Sequence, residues 1–204
     1  MTDGAHRRRI IAAAIELTAR SGWATVTMAV LAESVGVSRQ TVYNEIGSKQ
    51  ALAEAMVHDE LGRFLAVVEQ AFDREPADLA AAVRGAVRAV LDLARDNALL
   101  RAIVSATHDA DTDLLPLLTT HAGSLLTTAK TVLTHRLAPF DLPLDDHQLA
   151  VTVDVVVRAV LSHVMQPSDT PERTAADIAW LVDALVTRPG AVAGSALGAA
   201  GGSR

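Results

Sequence analysis

Between Thr27 and Lys49 the chain reads TMAVLAESVGVSRQTVYNEIGSK, its densest set of side chains able to do chemistry. Arg39, Gln40, Thr41, Tyr43 and Asn44 crowd the outward side of a helix about two turns long, while Val42 and Ile46, four residues apart, mark its inner stripe. These side chains suit the edges of a DNA duplex: arginine pairs with guanine, glutamine and asparagine with adenine, and threonine packs on a thymine methyl. Thr27 flanks the segment on one side. On the other, Lys49 opens the next helix, where its ammonium and the free backbone N–H groups suit a phosphate. Arg7, Arg8 and Arg9 read as a flexible basic arm for phosphate or minor-groove contact.

To present those side chains, two short helices must cross at a tight turn, Gly36-Val37-Ser38. Gly36 supplies the positive φ that such a turn requires, since it has no Cβ to clash. Ser38 caps the second helix, its hydroxyl accepting from a backbone N–H one turn on. Ala32 is small enough for a close crossing, and Leu31, Val35, Val37, Val42 and Ile46 fall where the inner faces meet. Elsewhere nearly every segment repeats apolar residues at the helical period, and no stretch alternates convincingly at period two. The pattern predicts helices over His6–Ser21, Thr27–Val35, Ser38–Ile46, Ser48–Asp73, from Pro76 or Asp78 to Arg95, and Ala98–Thr107. Three more follow: Thr112–Leu137 with a bend at Pro116, Asp146–Met165, and a last one ending at Arg188-Pro189. His108–Asp113 and Pro139–Asp146 read as loops, and the tail from Gly190, almost wholly Gly, Ala and Ser, is expected to be disordered. The fold class is all-α, with about nine helices: a three-helix head with a helix-turn-helix, then a helical body.

Half of the 204 residues are apolar, six are aromatic and none is cysteine. That length suffices for one large domain or two small ones. The lack of cysteine excludes disulfide scaffolds, thiolate zinc sites, iron–sulfur clusters and cysteine nucleophiles. A net charge of −6 speaks against nucleic acid as a partner, but the average conceals a split. Residues 1–50 hold six basic and four acidic side chains, leaving 12 and 20 for residues 51–204, so a head of +2 sits on a body of −8. An anion would therefore bind at the head. Glu16 ends the apolar run Ile10–Ile15 short of a signal core, and the uncharged stretch Leu114–Ala129 is too short and polar to span a bilayer. The chain is expected to be soluble and cytoplasmic, with no membrane partner.

Residues 6–56, above all TVTMAVLAESVGVSRQTVYNEIGSKQALAEAM, resemble the N-terminal domain of the TetR (tetracycline-repressor-like) family of bacterial transcriptional regulators. The resemblance lies in the G-V-S turn, the T-V-Y segment of the recognition helix and the S-K that opens a long connecting helix. It implies that Thr27, Ser38, Arg39, Gln40, Thr41, Tyr43, Asn44 and Lys49 face DNA, with Tyr43 and Lys49 at phosphate-contacting positions. It covers roughly the first quarter of the chain; the remainder matches in length, helicity and order of helices. Two residues depart from the pattern. Ile46 stands where the family usually carries an aromatic, and keeps the core with looser packing. Glu45 places an acid where polar, aromatic or basic residues are common, and reads as solvent-exposed or phosphate-repelling.

In the body, the helix Asp146–Met165 carries valine at 151, 153, 155, 156, 157, 160 and 164, with Leu149 and Leu161. Apolar residues almost all round imply burial on two sides, one against the domain's own core and the other against a second copy. The last helix likewise has one stripe of Ile178, Leu181, Val182 and Leu185 and a smaller one of Ala176, Trp180 and Ala184. A four-helix homodimer interface follows, with Val151, Val155, Arg158, Ser162, Ala176, Trp180 and Ala184 as contacts. Two heads about 34–36 Å apart would then meet successive major grooves of a palindrome. A small-molecule pocket is expected among Leu93, Asn97, Leu100, Ile103, Val104, Thr107, Leu117, Leu118, His121, Leu125 and Thr128, an apolar set with a few polar groups. The low aromatic content favours an aliphatic effector.

The run His108–Asp113 lacks the glycine and distal glutamate of a calcium loop, and its acids suit the start of the next helix. His58, His135, His147 and His163 stand alone, so no metal and no cofactor is expected. The chain shows no glycine-rich nucleotide loop and no Ser–His–Asp context, which argues against an enzyme. The sequence thus reads as a ligand-responsive homodimeric transcriptional regulator, a repressor by family, that binds a palindromic operator through residues 38–46 and is released by a small apolar effector. Residues 1–50 form the DNA-binding domain, 51–188 the ligand-binding and dimerisation domain, and 189–204 the tail. The alternative is a lipid- or acyl-binding interaction protein with a non-functional head, supported only by Glu45 and the modest charge of the head.

Overall fold

The computed structural model describes residues 3–97, 99–101 and 122–187. All regular structure among them is helical. The order is α1 (Asp3–Ser21), a 3-10 turn (Trp23–Thr25), α2 (Met28–Val35), α3 (Arg39–Ile46), α4 (Lys49–Arg74), α5 (Leu79–Arg95), α6 (Ala122–Leu137), α7 (Asp146–Met165) and α8 (Pro171–Thr187). Helix α1 begins before the expected His6, so Arg7, Arg8 and Arg9 lie inside it and form no flexible arm. The 3-10 turn is an element the periodicity does not reveal. Most of the expected helix Ala98–Thr107, the loop at 108–113, the stretch 112–121 of the following helix and the tail 189–204 lie outside the described residues.

Short polar side chains start these helices where the sequence places them. Ser38, Ser48 and Asp78 accept from the backbone N–H groups of Thr41, Ala51 and Ala81 at 3.0, 3.0 and 2.9 Å. At α7 the cap is reciprocal: the Asp145 carboxylate accepts from the Gln148 N–H at 2.8 Å, while the Gln148 side chain accepts from the Asp145 N–H at 3.0 Å. Each cap satisfies an orphan donor of the first turn and contributes about 1 kcal/mol.

Two apolar clusters hold the chain together, and α4 takes part in both. The head cluster joins Ile10, Ile11 and Ala14 of α1, Trp23, Val26, the inner faces of α2 and α3, and Leu52, Ala53, Ala55 and Met56 of α4. Leu99, from beyond α5, is buried in the same cluster. The body cluster joins Val68, Ala71 and Phe72 of α4 to Ala82, Val83, Ala86, Val87 and Leu91 of α5 and to Ala175, Ile178, Ala179 and Val182 of α8. Half-buried residues of α6 and α7 pack on it, and Phe140 meets Phe72 edge to face, the ring centroids 6.2 Å apart. At 1.5 Å per residue the 26 residues of α4 form a strut about 39 Å long. Between its two apolar ends Glu60 is buried, with one carboxylate oxygen accepting from the Asn97 side-chain amide.

Leu31 is wholly buried in the head cluster, so Leu31→Ala should lower head stability by about 2–5 kcal/mol. Urea unfolding followed through Trp23 in a Trp180→Phe background should show the head's midpoint falling before the body's helicity is lost.

Candidate nucleic-acid interface

The turn between α2 and α3 closes by a pair of backbone hydrogen bonds. Gly36 sits in the left-handed region at φ 72° and ψ 41°. Its N–H donates to the Glu33 carbonyl at 3.2 Å, and the Val37 N–H to the Ala32 carbonyl at 2.9 Å, a paired closure that satisfies two orphan carbonyls of α2. A non-glycine residue there would carry the steric penalty of the left-handed backbone. At the far end of α3, Gly47 again has positive φ, and its N–H donates to the Tyr43 carbonyl at 2.8 Å.

At about 100° per residue, Val42 and Ile46 lie within about 40° of each other on α3, and Gln40 and Asn44 do the same on the opposite side. The structure follows this geometry: Val42 and Ile46 are buried, Arg39, Gln40 and Asn44 are exposed, and Tyr43 keeps 51% of its surface accessible. Ile46 fills its place in the core without an aromatic ring. The Gln40 amide donates to the Asn44 side-chain oxygen at 2.9 Å, so the two side chains hold each other in place on the exposed face. Ser38 and Thr41 hydroxyls lie 2.8 Å apart at the start of the helix. Thr27, exposed, caps α2 by accepting from the Val30 N–H at 3.2 Å.

Lys49 stands at the first position of α4 with its Nζ 4.8 Å from the centroid of the buried Trp23 ring. The ring's quadrupole attracts the ammonium and restricts it to one side of the helix start. No sequence signal marks this pair, because the residues are 26 apart and the partner belongs to the unexpected 3-10 turn. The arginine run is also placed otherwise than expected. Arg7 donates to the Glu45 carbonyl of α3 at 2.5 Å and Arg9 to the Val35 carbonyl of α2 at 2.7 Å, while Arg8 is exposed and has no hydrogen bond or ion pair among the described residues.

In the body, Val151, Val155, Arg158 and Ser162 form an exposed stripe along α7, and Trp180 on α8 is 70% exposed. Ala176 and Ala184 are half-buried beside it. Val153 and Val157 turn inward, which splits the valine-rich helix into two faces. On α8, Ile178 and Val182 are buried but Leu181 and Leu185 are exposed, so those leucines belong with Trp180 rather than with the core stripe. Asp154 binds Arg158 at 2.8 Å and Lys130 of α6 at 3.0 Å, and these bonds, Arg158 first, hold its carboxyl below the usual carboxylate range.

Of the expected pocket residues, Ile103, Val104, Thr107, Leu117, Leu118 and His121 lie outside the described residues. Leu93, Leu100 and Leu125 are half-buried. Asn97 is buried, but its side chain is engaged: the amide donates to Glu60, and the oxygen accepts from the Leu100 N–H at 2.8 Å. Thr128 is exposed and its hydroxyl donates to the Ser124 carbonyl at 3.0 Å. A separate cavity of about 150 Å³ opens between α5, α7 and α8 against Leu91, Ala94, Val164, Pro167 and Pro171, and none of the expected pocket residues lines it. Arg95, His163 and Asp169 on its rim are each already paired, with Asp92, Ser168 and Arg173.

Comparison with known proteins matches residues 10–56 to "Bacterial regulatory proteins, tetR family" and residues 78–184 to "Bacterial Tetracyclin repressor, C-terminal domain". The HTH-type transcriptional regulator AlkX of Mycobacterium tuberculosis (strain ATCC 25618 / H37Rv) is 30% identical over 191 residues, covering 91% of this chain and 87% of its own. The crystal structure of the TetR family repressor AlkX from Dietzia sp. strain DQ12-45-1b, implicated in biodegradation of n-alkanes, superposes with a TM-score of 0.70 at 26% identity, over 88% of this chain and 94% of that one. The fatty acid degradation regulator FadR of Bacillus halodurans shares the fold, with a TM-score of 0.56 at 18% identity over 86% of this chain and 96% of that one.

The Ser38 hydroxyl accepts the Thr41 N–H at the helix that carries this face. Ser38→Ala should therefore cost about 1 kcal/mol of head stability, seen as a lower urea midpoint with an unchanged m-value.

Proposed function

Because this chain belongs to the TetR family of bacterial transcriptional regulators, we propose that it is a homodimeric repressor whose two heads read a palindromic operator and whose body binds a small apolar effector that releases it. The family regulates transcription and performs no catalysis. The observation that carries the DNA reading is the outward face of α3, where Arg39, Gln40, Tyr43 and Asn44 stand exposed above a core of Val42 and Ile46. Residues 38–46 enter the major groove, and Thr27, Tyr43 and Lys49 hold the flanking phosphates. Residues 1–50 are the reading domain, 51–188 the dimerisation and effector domain, and the protein acts in the cytoplasm.

A second copy is the natural cover for the outer stripes of α7 and α8, where Val151, Val155, Leu161, Met165, Trp180, Leu181 and Leu185 are each at least 41% exposed. Isolated exposed apolar residues are ordinary, but seven large ones on the outer faces of two successive helices mark an interface. Helix α7 is also long and apolar enough to cross a membrane by length and composition. The paired Asp154 and Arg158 midway along it favour a protein partner instead, since charges in hydrocarbon are expensive. For the effector, the relative implicated in n-alkane biodegradation and the aliphatic composition of the body both favour an unbranched apolar molecule. Such a ligand releases DNA only as far as it binds the released arrangement of the heads more tightly than the operator-bound one.

Two experiments test this reading. Duplexes selected from random DNA by the purified protein should carry an inverted repeat. Tyr43→Phe, which removes an uncharged phosphate donor, should weaken binding with the slope of log K against log salt unchanged, whereas Lys49→Gln should lower that slope by about 0.9; selection that yields no preferred sequence would overturn the reading. In the second, sedimentation should give twice the chain mass of 21.4 kDa, and Val155→Asp with Trp180→Asp should return it to one chain with operator binding lost. A wild-type chain that sediments as a monomer while binding its operator tightly would exclude the dimer.

A further inference from the structure

The arginine run at the start of α1 is the kind of cluster that reads as a phosphate arm, yet two of its three guanidinium groups are turned onto the helix-turn-helix itself. An α-helix leaves its last four carbonyls without intrahelical partners, and its C-terminus carries partial negative charge. The closure at Gly36 satisfies Ala32 and Glu33 of α2, and Arg9 takes the carbonyl of Val35, its last residue. In α3 the Gly47 N–H takes Tyr43, and Arg7 takes Glu45. One helix thus holds the C-terminal ends of both others through donors 38 and 26 residues away in sequence.

The apolar seam beneath α3 resists lifting, but burial is non-directional and leaves the helix's tilt weakly fixed. Arg39 and Glu45, at opposite ends of α3, are separated by about 9 Å along its axis. A tilt of about 10° moves one end by about 1.5 Å relative to the other, well beyond the roughly 0.5 Å that oriented hydrogen bonding tolerates. A directional, charge-assisted bond at the Glu45 end is suited to removing that freedom.

We propose that Arg7 and Arg9 are positioning residues, which set the tilt of the recognition helix through the Glu45 and Val35 carbonyls and make no phosphate contact, leaving Arg8 as the member of the run that faces the duplex backbone. The inference rests on the DNA-binding reading of the head and assigns a role to residues outside its reading face.

The test measures affinity of the full-length protein for its selected operator and for random duplex across a salt series, with Arg7→Gln, Arg9→Gln, Arg8→Gln and Arg7→Lys. Arg7→Gln and Arg9→Gln should each lose at least about tenfold in operator affinity and narrow the ratio of specific to random binding, with the salt slope unchanged. Arg8→Gln should lower the slope by about 0.9 and weaken both duplexes alike. Arg7→Lys, which keeps a charged donor at the helix end, should recover most of the specificity ratio. A slope reduced by about 0.9 in Arg7→Gln, or an unchanged specificity ratio, would overturn the proposal while leaving the DNA reading intact. Failure of the wild-type protein to prefer any duplex would sink both. Trp23 fluorescence reports whether each head is folded, and Arg7→Gln, whose lost bond lies at the surface, carries the test alone if Arg9→Gln unfolds the head.

Discussion

An eight-residue helix cannot persist alone in water, since nucleation costs more than two turns of hydrogen bonding return. The head is organised around that constraint. Two side chains, Val42 and Ile46, supply all the fully buried surface α3 has, which frees its remaining positions for polar groups but gives it little hold of its own. The remainder is provided at its ends, by the Ser38 cap, the positive-φ glycines on either side and Arg7 of α1. A recognition helix this short is a surface borrowed from its neighbours, and the reading groups are as well placed as α1, α2 and the start of α4 make them.

Helix α4 extends the same logic to the body. It contributes apolar residues to both cores without a break, so the two cannot rearrange independently of the strut they share. Glu60 lies between them, a buried carboxylate with one oxygen bound to Asn97 and the other 3.8 Å from Arg63. Burying a charge is costly unless it is paired, which makes the approach of Asn97 to this point of α4 a specific requirement of the fold. Asn97 in turn caps the helical residues that follow, and Leu99 from that segment enters the head core. A rearrangement of the body therefore has a polar contact and an apolar one through which to bias the heads.

What could be read in the sequence was what local rules decide. Ser38 and Ser48 are caps because a short oxygen at that position has one geometry available to it, and the helices start one residue later; the caps Asp78 and Asp145 obey the same rule but emerged only with the structure. The four-residue spacing of Val42 and Ile46 fixed the orientation of α3 for the same reason. Contacts between residues far apart in sequence were not legible. Arg7 with Glu45, Lys49 with Trp23 and Asn97 with Glu60 depend on how helices are placed in space. Three consecutive arginines resemble a solvated arm until α3 is seen to end beside them. Periodicity put Asn97 on a face without saying that Glu60 lies opposite it. On α8 two apolar stripes adjoin, and period alone could not assign Leu181 and Leu185 to the outer one.

The presence of Leu99 in the head core limits how the protein can be divided. A fragment ending where the reading domain ends in sequence would lack a side chain that is 3% exposed in the intact chain, and a dent would open in the head cluster in its absence. The head is thus an incomplete module. Exchange of such heads between regulators, by recombination or by engineering, has to carry this leucine along or find a substitute for it, so the sensing half of the chain constrains which reading halves it can accept.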